Sequence, residues 1–288
     1  MGSIDSRFLH RIVQHYYRLG SMNRLRGFAY ERCAELPYVL KTLQPLFQKT
    51  LRYLDIGSGG ESPLPTWLLV NTNWDITCVD KFAWVQNQFA HAARVASADD
   101  VAKRFHVIES DFLKAQLPAR SFDVITNISV IEHFEGLSDS QAMAASGALL
   151  KPDGVYILTT PVNEGFYREI YVKRDVYGEQ ASPGKAVYYQ RHYDTNTIRS
   201  RLIEPSGLVE FERIYFGDYE RQFFEGLLGG SLMRRIMNFP KRFNIPKYAL
   251  RHLSYSDKPV SRAHMKDNTS SGVIVVLTKG SAQATSTN

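Results

Sequence analysis

One stretch of this 288-residue chain is shaped for a nucleotide-like ligand. In Leu54-Asp55-Ile56-Gly57-Ser58-Gly59-Gly60 an apolar run leads directly into glycines. Glycine lets the backbone adopt dihedrals that side chains forbid, and it lets the backbone approach a ligand closely. Asp80, 23 positions after Gly57, closes a second apolar run. A carboxylate at such a tip accepts hydrogen bonds from the two hydroxyls of a ribose. Taken alone, the glycines fit a Rossmann-like turn without ligand as well as an NAD site. The NAD pattern asks for a third glycine or an alanine at position 62, where Ser62 stands, and has no need of an acid two residues before Gly57.

Two histidines are candidate bases. His133 follows an apolar run, at the face where parallel sheets place their ligands. It is also readable as part of a dipeptide, Glu132-His133, that only shapes the ligand pocket. His192 lies in Tyr188-Tyr189-Gln190-Arg191-His192-Tyr193-Asp194, an aromatic and polar cluster suited to a hydroxyl-rich small molecule, or equally to a surface loop packed on the core. A proton on an attacking hydroxyl is best removed by a group that titrates near neutrality. Asp123, Asp153 and Asp175 are scattered without ligand spacing, so no metal site is expected.

The elements that must hold these residues alternate. Short β-rich runs at Leu51–Ile56, Ile76–Asp80, Phe105–Glu109, Phe122–Ile128 and Val155–Thr160 are separated by helical stretches, best seen at Trp84–Ala96 and Ser138–Leu150. Such alternation gives parallel strands joined by crossover helices, with both sheet faces covered. Ser138 and Asp139 are candidate N-caps, and Lys151-Pro152-Asp153-Gly154 supplies a turn. Residues 162–194 break the rhythm as a polar, tyrosine-rich insertion, of a length that marks functional or disordered loops. A helix from about Thr195 to Glu204 follows, then strands at Val209–Phe216 and Val273–Leu277 around a second insertion, 217–272. Residues 1–50 read as an N-terminal helical lid, with Phe8, Ile12 and Tyr16 at four-residue spacing, and 281–288 as a flexible tail.

Hydrophobic residues make up 44% and charged residues 22%, which excludes disorder, collagen and a coiled coil as global descriptions. No apolar window is long enough to span a bilayer, the arginine-rich start has no secretory core, and two cysteines build no disulfide framework; a reducing cytoplasmic setting is expected. The net charge of +6 is uneven: residues 1–50 carry +5, 51–230 carry −7 and 231–270 carry +7. Basic character thus belongs to appendages, unlike a uniformly basic nucleic-acid binder. Within 223–250, Phe223, Leu227, Met233 and Ile236 recur at helical spacing among Arg234, Arg235, Lys241 and Lys247. Three uses fit such a stretch: a substrate lid or homodimer arm, peripheral contact with an anionic membrane, or RNA binding.

Together these motifs resemble the class I S-adenosylmethionine-dependent methyltransferases. Asp55-x-Gly57-x-Gly59 is similar to the family's first motif, and Asp80 falls at its ribose-binding acid, followed by Lys81-Phe82. Asp111-Phe112 match the adenine-side position after the third strand. Phe122-Asp123-Val124-Ile125 with Asn127 and Ile131-Glu132-His133-Phe134 resembles the fourth-strand motif, and Leu149–Gly154 the turn into the fifth strand. One departure is Glu61, where the family usually has a third glycine.

The resemblance implies an α/β Rossmann-like class I methyltransferase fold over 51–280, with a mostly parallel seven-stranded sheet ending in an antiparallel hairpin. It implies S-adenosylmethionine as cofactor, bound by Asp55, Gly57, Ser58, Gly59, Asp80, Lys81, Asp111, Phe112 and Asn127. The expected activity is methylation of a small-molecule acceptor, at oxygen of a sugar-containing or secondary metabolite, with His133 or His192 as base. The alternatives are a tRNA or other nucleic-acid methyltransferase and a non-catalytic S-adenosylmethionine-binding regulatory protein.

Overall fold

A computed structural model describes residues 2–23, 27–163, 165–173, 176, 185–218, 245–259 and 271–280. The alternating sequence forms a mostly parallel sheet. Its parallel part is β2 (Arg52–Ile56), β3 (Asp75–Asp80), β4 (Phe105–Glu109), β5 (Phe122–Ile128) and β6 (Leu150–Pro161). β9 (Val209–Asp218) and β11 (Ser271–Thr278) add the antiparallel hairpin. Those seven strands run β9-β11-β6-β5-β2-β3-β4.

The sheet is buried on both sides, and the side chains show it by their alternation. On β11, Val273, Val275 and Leu277 join one apolar core while Ile274 and Val276 join the other. Tyr156 and Leu158 of β6 face away from Ile157 in the same way. A period of two with apolar residues on both faces is what helices on both sides require. The helices include α1 (Ser6–Leu19), α2 (Arg32–Leu43), α3 (Leu64–Asn71), α4 (Asn87–Val95), α5 (Ala98–Arg104) and α6 (Ser138–Leu149). Asp5 caps α1 by accepting from the Arg7 and Phe8 amides, and Phe8, Ile12 and Tyr16 bury the expected stripe. Cys33 and Cys78 are free and buried.

The sheet exceeds seven strands. β1 (Gly2–Ser3) and β10 (Leu253–Ser256) extend it to nine, β10 pairing with β9 and β1 with β10. A bare β9 edge would leave its amides and carbonyls unpaired, and these two short strands cover it. β10 leads out of α7 (Ile245–His252), and Tyr255 donates to the Ala34 carbonyl of α2 at 2.6 Å. The membrane, RNA and dimer readings of 223–250 fall outside the described residues, apart from the start of α7.

Two local expectations are corrected, and the helix expected from about Thr195 to Glu204 is present but irregular. The 162–194 insertion contains a hairpin, β7 (Arg168–Val172) against β8 (Val187–His192), rather than only a loop. Helix α6 has no side-chain cap, because Asp139 turns inward to two guanidinium groups. Charged partners satisfy its carboxylate better than a backbone amide does. The stretch after Asp194 forms a capped turn at Thr195–Thr197, a π segment at Ile198–Ile203 and a last turn at Glu204–Ser206.

Candidate active site

The glycine turn lies just past the carboxyl end of β2. Gly57 has φ +71° and Gly59 +58°. At Gly57 the tightness is steric as well, because a Cβ there would overlap Val130. At Gly59 a Cβ would meet nothing within 4 Å, so open space lies over the turn. The Gly57 amide donates to the Val79 carbonyl at 2.7 Å, which ties the turn to the end of β3. Asp80 sits beside it. Its carboxylate accepts from the Gly59 amide at 2.9 Å and the Phe82 amide at 3.0 Å. Each oxygen keeps a further lone-pair site for a ligand hydroxyl.

The other motif residues surround this turn. Asp55 is buried, accepts from the Thr126 hydroxyl at 2.6 Å and has its pKa pushed up to about 6 by burial. The Ser58 hydroxyl donates to the Asp55 carbonyl at 3.0 Å, and Gln88 of α4 donates to the Ser58, Gly59 and Ser62 carbonyls. Lys81 lies 4.7 Å over the Phe82 ring, and Phe82 stacks on Trp84 at 4.2 Å. Asp111 accepts from the Leu113 amide at 3.0 Å, and Phe112 is buried against the core. Asn127, near the end of β5, accepts from the Ile131 amide at 2.9 Å and so bends the chain into the turn that carries His133.

His133 and His192 are held differently. His133 Nδ1 stands 2.7 Å from the Tyr189 carbonyl of β8. A carbonyl only accepts, so Nδ1 carries the proton and the basic lone pair lies on Nε2. Burial lowers the pKa, and the charges of Lys81 and Arg32 lower it further. His192 is on β8 with Nε2 at 2.8 Å from the Gln190 side chain, and burial with the charge of Arg168 brings it down to about 4.

Sequence reasoning missed a polar cluster brought in by α2. Glu35 is 1% exposed and accepts from the Ser129 and Thr159 hydroxyls, each at 2.6 Å. Arg32 pairs with Glu35 and donates to Ser129 at 2.9 Å. Glu132 is buried with a long hydrogen bond from Thr160 at 3.4 Å, and burial pushes its pKa up to about 8. Ser129 itself adopts φ +52°. An Arg-x-x-Glu step in a helix is common, so its spacing gave no signal that this pair faces the ends of β5 and β6.

The hairpin is fixed to the same turn from the other side. Arg191 is fully buried and reaches Asp139 at 3.0 Å, the Tyr188 hydroxyl at 2.8 Å and the Gly136 carbonyl at 3.1 Å. Tyr188 in turn donates to the Glu132 carbonyl at 2.7 Å. Among the described residues no group of three or more His, Cys, Asp and Glu could hold a metal ion.

A family model described as a methyltransferase domain matches residues 25–201, more than half of the chain. The chain belongs to this methyltransferase family. No functionally curated protein matches it. Among solved structures, this methyltransferase is similar to a Galdieria sulphuraria protein provisionally named a sarcosine dimethylglycine methyltransferase. The TM-score is 0.52 at 14% identity, over 94% of this chain and 98% of that one. It is also similar to the 1,6-didemethyltoxoflavin-N1-methyltransferase of Burkholderia thailandensis, solved with 1,6-didemethyltoxoflavin and S-adenosylhomocysteine. There the TM-score is 0.52 at 13% identity, over 94% and 87% of the two chains. Identities this low speak for a shared fold.

The cofactor of this class I methyltransferase is S-adenosylmethionine. The residues present fit it: glycines at positive φ, open space over Gly59 and a carboxylate at the tip of β3 make a cradle for an adenosyl ligand.

Proposed function

We propose that this methyltransferase acts on an oxygen of a small hydroxylated acceptor, of the sugar-containing or secondary-metabolite kind, with His133 as general base. Bound S-adenosylmethionine supplies a methyl group already activated on a sulfonium. What the protein must add is alignment, exclusion of water and removal of the hydroxyl proton. The observation that carries the reading is the 2.7 Å contact between His133 Nδ1 and the Tyr189 carbonyl, which leaves Nε2 as the proton acceptor. The lowered pKa keeps that imidazole neutral at physiological pH. His192, brought down to about 4, is the weaker base and is assigned to acceptor contact.

Asp55, Gly57, Ser58, Gly59, Asp80, Lys81, Asp111, Phe112 and Asn127 are proposed to bind the cofactor, Asp55 and Asn127 by shaping the turns around it. The reading is tested by incubating the enzyme with methyl-labelled S-adenosylmethionine and separate pools of sugars, phenols, amines and tRNA. Label transferred to a hydroxyl of a small molecule supports the reading; label transferred to tRNA or to amines alone overturns it. Loss of transfer in His133→Asn, with cofactor affinity retained, supports the base assignment.

A further inference from the structure

Strand β8 carries one residue more than its partner. In the β7–β8 ladder Glu169 lies opposite Arg191 and Ile170 opposite Gln190, but the next pair is Tyr171 with Tyr188. Tyr189 therefore has no opposite number in β7 and is the extra residue of a β-bulge. Side chains alternate between the two faces of a strand, and residues directly opposite share a face. In a regular strand residues 188 and 191 would point to opposite faces. The bulge absorbs one residue and brings both to the same face. Tyr171 meets Tyr188 ring to ring at 5.6 Å, Glu169 lies 3.7 Å from Arg191, and Arg191 Nε donates to the Tyr188 hydroxyl at 2.8 Å.

That shared face is turned on the segment that carries His133. The Tyr188 hydroxyl donates to the Glu132 carbonyl at 2.7 Å, and Arg191 donates to the Phe134 carbonyl and, at 3.1 Å, to the Gly136 carbonyl. The extra residue reaches the side chain between them: its carbonyl stands 2.7 Å from His133 Nδ1, and its ring meets the imidazole at 5.6 Å. The backbone on both sides of His133 and the imidazole itself are thus held from one short piece of β8. Tyr188 and Arg191 are both buried, so these bonds form in a low-dielectric setting where they are strong. We infer that the β8 bulge is the device that sets the tautomer of His133, with Tyr188 as a positioning residue that acts through the Glu132 carbonyl. The catalytic meaning of this device rests on the reading of His133 as the base, and it makes the insertion hairpin part of the machinery that prepares that base.

The test reads the tautomer directly and needs no acceptor. Nitrogen NMR of isotopically labelled histidine separates protonated from unprotonated ring nitrogens, and the signal missing from His133→Asn assigns the residue. At neutral pH the wild-type imidazole should carry its proton on Nδ1, against the preference of a free imidazole for Nε2. Deleting Tyr189 leaves Tyr188 and Arg191 on one face of a regular ladder and withdraws only the extra carbonyl, so the proton should return to Nε2. Tyr188→Phe keeps the ring and removes one buried hydrogen bond, and the ratio of the Nδ1 to the Nε2 tautomer should fall roughly tenfold. Wild-type affinity for S-adenosylhomocysteine shows that each variant is folded; if the deletion fails that control, Tyr188→Phe decides alone. A proton on Nε2 in the wild type, or an unchanged tautomer ratio in either folded variant, would overturn the inference. Full methyl transfer by His133→Asn would instead count against the base reading and leave the tautomer result standing.

Discussion

Arg191 and Asp139 meet at 3.0 Å with both side chains wholly removed from solvent, and this pair joins the insertion hairpin to the first turn of α6, which follows the turn that bears His133. Asp139 also receives Arg201 and, at 3.0 Å, the Tyr193 hydroxyl. Asp139→Asn keeps the shape but leaves two guanidinium groups facing a neutral amide. Breaking a buried pair in this way costs about 3–5 kcal/mol. Chemical denaturation should show that loss, and hydrogen exchange should show it concentrated in β8; a midpoint equal to wild type would refute the anchoring role.

Gly57 and Gly59 should respond differently to alanine. Gly57→Ala adds strain at φ +71° and pushes against Val130, so both the melting temperature and S-adenosylhomocysteine affinity should fall. Gly59→Ala has free space around its new methyl and pays mainly for its backbone conformation. Its melting temperature should change little while the methyl intrudes on the ligand. Thermal scans with and without S-adenosylhomocysteine separate the two, and an unaffected ligand shift in Gly59→Ala would contradict the cradle.

Asp80→Ala removes the acceptor of the Gly59 and Phe82 amides together with the proposed ribose contact. Calorimetry should show S-adenosylhomocysteine binding abolished, and binding at wild-type strength would undo the motif assignment.

Glu132 makes stability depend on pH. Its pKa rises on folding from 4.5 to about 8, so the folded chain holds a proton that the unfolded chain releases. Stability is therefore greatest below the ordinary glutamate range and declines as pH climbs toward 8. Glu132→Gln removes that decline. The variant should melt higher than wild type at pH 8.5 and close to it at pH 4, with the two curves diverging in between. Parallel pH profiles would show that Glu132 is already ionised in the folded state.

His133 governs the acid limb of the rate profile if it is the base. Its pKa lies below the usual 6.5, because burial and the charges of Lys81 and Arg32 disfavour the imidazolium. The rate should therefore hold through neutrality and fall only below that value. His133→Asn should lower kcat by roughly a hundredfold to ten-thousandfold, the range general-base catalysis supplies, and abolish the limb. A limb that survives the substitution belongs to another group.

Much of the sheet was legible because each strand carries its own signal. Phe105–Glu109 and Phe122–Ile128 occur with the expected bounds, since apolar β-branched and aromatic runs bounded by polar turns specify strands locally. The glycine turn was legible for a similar reason: glycine at 57 and 59 reports directly on backbone conformation. The covering strands β1 and β10 were not, being two and four residues long and stabilised by the edge they cover. The hairpin of the insertion was hidden likewise, because its polar and aromatic residues follow no simple alternation and are held by the buried Arg191.

The sequence alone determined the order of the parallel strands' elements, the class of cofactor turn and the identity of His133 as a candidate base. Those features depend on residues close in the chain, whose propensities and spacing act before any packing. Tertiary structure decided which groups meet there. It brought Arg32 and Glu35 of α2 to Ser129 and Thr159 across about a hundred residues of sequence, and it used Tyr189 to set the tautomer of His133. Hydrogen bonds and charges act through distance in space, and no local pattern records which distant side chains the fold will bring within 3 Å.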